Sequence, residues 1–286
     1  MRFIYFQKEE MGNRYKELRG YFEKMDGIAI AYSGGVDSTL LLYAAVEALP
    51  GKVLALTADT GTVPEREINA AREYCGFLGV RHRLVTTHVL ELSELSGNPK
   101  DRCYICKKHI YNKFLAIAGE EGFTGLAEGS NADDVRTYRP GLRALKELKV
   151  LSPYVELGIT RAEIEDMSGK LSLPTFDKPS YACLFTRFPY GEEITESKLK
   201  RVDKAEQALM DMGFRQLRVR SHGDMARIEL MPEDMEYFMK ADVRQSVHDK
   251  FTQLGYSFVT LDIMGYRSGS FDQCHKEGPT KREDAL

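Results

Sequence analysis

A glycine-rich turn is the feature of this chain best suited to chemistry. Residues 33–38, Ser-Gly-Gly-Val-Asp-Ser, follow an apolar strand-like segment at 27–32 and precede an apolar helical segment at 40–46. Glycines at such a turn let the backbone approach an anion closely, and the leading amides of the helix favour negative charge. A simple helix cap also explains Ser33, Asp37 and Ser38. Two adjacent glycines before Val-Asp-Ser favour a phosphate site instead.

The spacing of this turn separates it from two common nucleotide motifs. It lacks the lysine of Gly-x-x-x-x-Gly-Lys-Ser/Thr and the third glycine of Gly-x-Gly-x-x-Gly. It resembles the PP-loop, whose members hold the pyrophosphate of ATP and adenylate their substrates. The resemblance implies ATP and magnesium as cofactors, and it implies the following nucleotide-binding residues in the loop: Ser33, Gly34, Gly35, Asp37 and Ser38.

Strand-like and helix-like segments alternate through the first half of the chain. The predicted strands are 52–58, 83–87 and 125–129, and the predicted helices are 64–78 and 106–121. Such alternation predicts an α/β fold in which a parallel sheet carries helices on both faces. The PP-loop resemblance specifies the adenine nucleotide alpha hydrolase-like form of that fold.

Two further segments follow predicted strands and can meet the loop at the carboxyl edge of the sheet. Asp59 follows the second strand, and the resemblance gives it a role on the adenosine side. The segment 129–134, Gly-Ser-Asn-Ala-Asp-Asp, could be only a turn followed by a helix cap. Its likeness to a second nucleotide segment of the family implies contacts from Gly129, Asn131 and Asp134.

A domain boundary is predicted near residues 174–195, where prolines and Gly191 interrupt the regular patterns. We expect an ATP-binding and adenylation domain at 1–185 and a domain for substrate binding and oligomerisation at 186–286. In the second domain, alternating residues predict half-exposed strands at 217–222 and 226–230. An amphipathic segment at 232–254 and a strand at 258–262 complete a small α+β domain.

Composition limits the classes of partner. The chain has 286 residues, of which 43% are hydrophobic, so it can bury a large core. The formal net charge of −3 argues against a broadly basic nucleic-acid surface. No stretch approaches the roughly 20 apolar residues of a membrane span. We therefore expect a cytoplasmic protein with no nucleic-acid or membrane partner.

The chain has five cysteines, an odd number that favours thiol chemistry or metal binding over a disulfide framework. Cys103 and Cys106 form a Cys-x-x-Cys pair near a predicted helix start, where they could bind a metal or undergo redox exchange. A zinc site would need two more ligands, and His109 is the close candidate. Cys183 lies in a proline-flanked loop typical of functional sites. Cys75, within an amphipathic helix, is expected to be a buried apolar residue.

The chain resembles the LarE family over nearly its whole length. Six segments stand in the family's order, at 101–104, 138–141, 187–191, 218–220, 226–229 and 265–269. LarE proteins are PP-loop sulfur transferases that adenylate the carboxylates of a pyridinium dicarboxylate mononucleotide and replace them with thiocarboxylates. The product enters the biosynthesis of the nickel-pincer nucleotide cofactor. The resemblance implies a small-molecule nucleotide substrate and a homo-oligomer.

The resemblance leaves two sources of sulfur open. In one, a single cysteine before Arg-Phe-Pro-Tyr-Gly gives up its own sulfur and becomes dehydroalanine, which here indicates Cys183. In the other, Cys103, Cys106 and Cys183 hold a four-iron four-sulfur cluster that carries an additional sulfide. The presence of the Cys-x-x-Cys pair favours the cluster, and Cys183 is central to both.

The resemblance also assigns cationic residues to the substrate. Arg218, Arg220 and Arg267 would bind its phosphate, Arg187 would steady an acyl oxygen or phosphate, and Glu229 would position the substrate or accept a proton. Position alone favours a solvated strand face for these arginines. The alternatives are a PP-loop tRNA thiolase or amidase, and a non-catalytic nucleotide-binding iron-sulfur or zinc protein.

Overall fold

A computed structural model describes residues 12–136, 140–179 and 182–267. The chain divides after residue 181 into two compact units, here called the first unit and the second unit. The predicted boundary lay after residue 185. Residues 182–185 belong to the second unit because the short helix Leu184–Arg187 packs on elements of that unit.

The first unit contains a parallel sheet of four strands: β1 (Ile28–Ala31), β2 (Val53–Asp59), β3 (Arg81–Thr86) and β4 (Leu126–Ala127). Their order in the sheet is β3-β2-β1-β4, so β1 pairs with both β2 and β4. The central position of β1 brings the residues that follow β1, β2 and β4 to one edge. This confirms the predicted α/β fold.

Seven helices of the described residues surround this sheet: α1 (Asn13–Phe22), α2 (Val36–Ala48), α3 (Glu65–Leu78), α4 (Arg102–Glu120), α5 (Pro140–Glu147), α6 (Pro153–Leu157) and α7 (Arg161–Lys170). Alternate residues of β1 face opposite sides. Ile28 and Ile30 pack in a core with residues of α1, α2 and α7, whereas Ala29 and Ala31 pack with residues of α4 and α5. Helices therefore cover both faces, as predicted.

After the short helix Leu184–Arg187, the second unit continues with α8 (Glu196–Asp211), which Thr195 caps by accepting a hydrogen bond from the backbone N–H of Lys198. The strands and α-helices that follow are β5 (Leu217–His222), β6 (Met225–Leu230), α9 (Met235–Phe238), α10 (Ala241–Gln253) and β7 (Phe258–Leu261). The strands form a separate sheet in the order β5-β6-β7. Strands β5 and β6 are antiparallel, while β6 and β7 are parallel.

The prediction that β5 is half-exposed is wrong. Five of its six residues are buried, including Arg218, which is 3% exposed, and Arg220, which is 5% exposed. Arginine can be buried when carboxylates and carbonyls satisfy its donors, and the second unit supplies both. Among the described residues, no helix is both long and apolar enough to cross a bilayer.

Candidate nucleotide and substrate sites

The turn at residues 33–38 joins β1 to α2, as its sequence predicts. Gly34 has φ +73°, a left-handed conformation that glycine adopts without strain. The Ser33 backbone N–H donates to Ser38 Oγ at 3.2 Å, and the two serine hydroxyls are 3.0 Å apart. Gly35 is the N-cap of α2, and no side chain caps this helix in the described structure. The hydrogen bonds between Ser33 and Ser38 stabilise the turn. The backbone N–H groups at the start of α2 can face an anion.

The loop after β4 approaches this turn closely. A Cβ atom added to Gly129 would lie 3.1 Å from the backbone nitrogen of Ser38, so a side chain there would crowd the turn. Asn131 Nδ2 donates to Asp37 Oδ1 at 3.3 Å, and the Asn131 backbone N–H donates to Asp134 Oδ2 at 3.2 Å. The structure thus brings five predicted residues of two distant segments into one site.

Asp37 is held by two further contacts from distant parts of the first unit. Arg161 forms an ion pair with Asp37 Oδ2, and Tyr154 Oη donates to the Asp37 carbonyl at 2.8 Å. Burial raises the pKa of Asp37, and the charge of Arg161 opposes that rise. Carboxylates of Asp37 and Asp134 are hard oxygen ligands of the type that Mg²⁺ takes from a protein when phosphates supply the rest.

Asp59 lies at the same edge of the sheet, at the end of β2. Its Oδ1 accepts a hydrogen bond from the Gly61 backbone N–H at 3.3 Å, so it shapes the loop that follows it. In that loop the hydroxyls of Thr60 and Thr62, both buried, are 2.7 Å apart. The adenosine-side role of Asp59 stays a prediction.

Sequence reasoning missed two cations of the first unit. Arg161 lies 124 residues from Asp37, at the start of α7 behind the capping box of Thr160 and Glu163. Lys178 lies outside regular structure and donates to the Gly34 carbonyl at 3.1 Å. The capping box could have been found in the sequence, but no local pattern pairs either cation with the loop.

The thiols differ in their exposure. Cys103 is exposed and Cys106 is half-buried, in the first two turns of α4, which begins four residues earlier than predicted. Cys75 is buried as predicted, and burial raises its pKa to about 12. Cys183 is exposed and precedes the short helix Leu184–Arg187 of the second unit. Within the described ranges, no three His, Cys, Asp or Glu side chains are grouped as metal ligands.

Arg187 forms a buried ion pair in the second unit. Its Nε and Nη2 atoms donate to the two oxygens of Glu206 at 2.7 Å and 3.1 Å, and the side chains are 1% and 0% exposed. Burial alone would raise the pKa of Glu206, but the charge and hydrogen bonds of Arg187 hold it below the usual value. Glu206 also accepts from the Val219 backbone N–H at 3.0 Å, which ties α8 to β5.

Arg220 and Glu229 form a second buried pair. Arg220 Nε and Nη2 donate to the Glu229 oxygens at 3.0 Å and 2.9 Å, and Arg227 adds a contact to Glu229 at 3.1 Å. Both carboxylate oxygens of Glu229 are therefore engaged by arginines. This geometry favours a positioning role for Glu229 over proton transfer.

Arg218 is the third buried arginine of the second unit, and it lies in β5 two residues before Arg220. Its guanidinium lies 5.0 Å from the ring centroid of Tyr266, and Nη1 donates to the Leu217 carbonyl at 2.6 Å. Burial and then the charge of Arg187 lower the pKa of Arg218, and the charge of Glu206 opposes that fall. An anion close to Arg218 would favour its charged form.

Arg267, the third predicted phosphate residue, is 51% exposed and lies 4.0 Å from Asp262 Oδ2. Asp262 also lies 3.7 Å from Arg227 Nε, so Arg267 joins the edge of the same charged network. Residues Tyr138, Arg139, Ser268 and Gly269 of the family-like segments lie outside the described residues. Sequence reasoning missed Glu206, although a carboxylate on the buried face of α8 beside Ala205 and Leu209 was a signal.

Comparison with known proteins identifies related sequences. The family model for the queuosine biosynthesis protein QueC matches residues 28–113. The uncharacterized protein slr1717 of Synechocystis sp. is 40% identical over 91% of this chain and 97% of its own length. The pyridinium-3,5-bisthiocarboxylic acid mononucleotide synthase of Lactiplantibacillus plantarum is 32% identical over 85% of this chain and 87% of its own length.

A third relative, protein MJ0830 of Methanocaldococcus jannaschii, is 28% identical over 84% of this chain and 91% of its own length. The alignment with the Lactiplantibacillus plantarum synthase covers 243 residues, which is more than the 181 residues of the first unit. The similarity therefore extends into the second unit, where the buried arginines lie.

Proposed function

Because this chain belongs to the LarE family of ATP-dependent sulfur transferases, we propose that it converts a carboxylate of a pyridinium dicarboxylate mononucleotide to a thiocarboxylate. The proposed product serves nickel-pincer cofactor biosynthesis. The observation that carries the proposal is the cluster of Arg187, Arg218 and Arg220, three buried arginines in the second unit. A phosphate loop in the first unit accounts for ATP, and the arginine cluster accounts for a second phosphorylated ligand.

Activation comes first because a carboxylate is a poor electrophile. A substrate carboxylate oxygen attacks the α-phosphorus of ATP, the bond to the bridging oxygen breaks, and pyrophosphate leaves. The product is an acyl adenylate. Amides of the turn at residues 33–38 stabilise the charge that develops on the pyrophosphate. Asp37 and Asp134 would hold Mg²⁺, which when bound neutralises part of the same charge.

The arginine cluster is proposed to hold the substrate by its phosphate. Guanidinium groups bind phosphate oxygens through paired N–H donors, and Arg218, Arg220 and Arg267 supply them. Glu229 fixes Arg220 in place, as the two hydrogen bonds between them indicate. Glu206 does the same for Arg187, so these carboxylates act as positioning residues.

Sulfur is proposed to come from Cys183, which is exposed. Its Sγ attacks the acyl carbon, AMP leaves, and a thioester joins the substrate to the protein. Loss of the Cα proton of Cys183 to a base then breaks the Cβ–Sγ bond. This step leaves dehydroalanine in the chain and releases the thiocarboxylate.

The cluster route requires a third thiolate beside Cys103 and Cys106. Among the described residues no three metal-ligating side chains are grouped, and the sulfur step proposed above uses Cys183 alone. The cluster stays a prediction that iron and sulfide analysis of anaerobically purified protein tests. The homo-oligomer stays a prediction that sedimentation tests.

The proposed function is tested by incubating the protein with ATP, Mg²⁺ and pyridinium-3,5-dicarboxylate mononucleotide. We expect AMP, pyrophosphate and a thiocarboxylate, and a protein mass lower by one H₂S at Cys183. Cys183→Ala should still release pyrophosphate without forming thiocarboxylate, while Cys103→Ala should retain full activity. Activity lost in Cys103→Ala, with iron lost at the same time, would support the cluster. Wild-type protein that forms neither AMP nor thiocarboxylate would refute the proposal.

A further inference from the structure

Lys178 connects the phosphate loop to α3. Its Nζ donates to the Gly34 carbonyl at 3.1 Å and lies 2.6 Å from Glu67 Oε2. The two side chains are only 18% and 12% exposed. A Cβ atom added to Gly34 would have atoms of Ala71 and Glu67 as its nearest neighbours, so the loop packs directly on α3. The ion pair between Lys178 and Glu67 therefore adds to the packing contact between the loop and α3.

The backbone of Lys178 is itself held in place. Its N–H donates to the Thr175 carbonyl at 3.1 Å, and Pro179 follows it. A residue before proline is restricted to extended conformations. The ammonium group is thus carried by a short segment whose backbone is restrained.

The hydrogen bond to Gly34 has a consequence for the next amide. The Gly34 carbonyl and the Gly35 N–H belong to one planar peptide and point in opposite directions. Fixing the carbonyl toward Lys178 fixes the N–H on the opposite side. A cation on the carbonyl oxygen also polarises the peptide and strengthens its N–H as a donor. In the described structure this N–H reaches Ser33 Oγ only at 3.4 Å, which leaves it able to bind a phosphate oxygen.

We propose that Lys178, anchored by Glu67, is a positioning residue that presets the Gly34–Gly35 peptide for the pyrophosphate of ATP. This loop has no lysine of its own, and Lys178 supplies the cation from a remote segment. It acts through the Gly34 carbonyl and does not itself contact phosphate. The inference rests on the ATP-binding role of the loop and is independent of sulfur transfer.

Pyrophosphate and AMP binding to the full chain, measured by calorimetry with Mg²⁺, test this inference. Lys178→Met should weaken pyrophosphate binding about tenfold or more, as expected for the loss of a charge-assisted hydrogen bond. AMP binding should change by less than about twofold. Lys178→Arg, which keeps the charge, should restore part of the pyrophosphate affinity. Lys170→Met is the matched control, because Lys170 forms an exposed pair with Asp166 in the same unit.

Glu67→Gln distinguishes positioning from direct contact. If Lys178 acts through Gly34, loss of its anchor weakens pyrophosphate binding; if the ammonium contacts phosphate, its release from Glu67 tightens binding and overturns the inference. Equal weakening of AMP and pyrophosphate in Lys178→Met would also overturn it, because that result indicates a general structural role. Both probes are products of any adenylating enzyme. Failure of the proposed sulfur transfer therefore leaves this test intact.

Discussion

Glu206→Gln is the substitution for which the structure gives the clearest expected cost. Glutamine keeps the shape of Glu206 and its oxygen can still accept from the Val219 N–H, but it removes the charge that balances Arg187. Both partners are fully buried, so solvent cannot screen the uncompensated guanidinium. Removing one member of a buried ion pair costs about 3 to 5 kcal/mol. For a unit of this size, about 3 kcal/mol lowers the melting temperature on the order of 15 °C.

The measurement must follow the second unit alone, because a chain of two units need not unfold in one step. The chain has no tryptophan, so amide hydrogen exchange of β5 and β6 is the direct probe. Arg187→Met combined with Glu206→Gln is the matched control. It removes both charges and keeps the acceptor for Val219, so it should recover most of the lost stability.

Acid adds an independent check on the same pair. The folded pKa of Glu206 is below its ordinary value, so its pairing stabilises the fold above the unfolded pKa of about 4.3. That contribution is lost as pH falls through the folded pKa. The stability of the second unit should decline below about pH 4, and Glu206→Gln should lack this component of the decline. A cost under about 1 kcal/mol in Glu206→Gln would contradict this prediction, since it would mean that Arg187 is not a buried, balanced charge.

Three further predictions concern individual side chains. Gly129→Ala should weaken ATP binding about tenfold in calorimetry, because its Cβ would crowd the Ser38 nitrogen and displace the loop; unchanged affinity would contradict that close approach. Asp37→Asn should raise the Mg²⁺ concentration needed for pyrophosphate release on the order of tenfold, measured by titration. Iodoacetamide at neutral pH should label Cys183 and leave Cys75 unmodified in peptide mass spectra, because burial raises the Cys75 pKa to about 12; labelling of Cys75 in folded protein would contradict its burial.

The sequence was sufficient for the phosphate loop because the determinants of that loop are local. A strand, two glycines and an apolar helix occur within 20 residues, between Gly27 and Val46, and their order dictates where the amides point. Gly129 and Asn131 could be added because parallel strands end at a common edge. Arg161 and Lys178 could not, since each reaches the loop across more than 120 residues of chain. Only the packing of α7 and of the segment before Pro179 brings them there.

The second unit shows why alternation is an incomplete guide to burial. The pattern of β5 places Arg218 and Arg220 at alternate positions, which normally indicates a solvent face. Burial of that face depends on Glu206 in α8 and Glu229 in β6, and strand periodicity carries no information about either partner. A carboxylate on the apolar face of α8 was the one indication that charge lies inside this unit.

Stability alone does not account for that buried charge. Replacing a buried ion pair by apolar residues of similar volume is often neutral or stabilising. The second unit would therefore be at least as stable with apolar side chains at these positions of β5. Arg218 carries a further cost, because burial and the charge of Arg187 lower its pKa. A phosphate bound as proposed would place an anion beside Arg218 and so offset this cost. The proposed phosphate site of the second unit gives these buried arginines a role that the folding of that unit does not require.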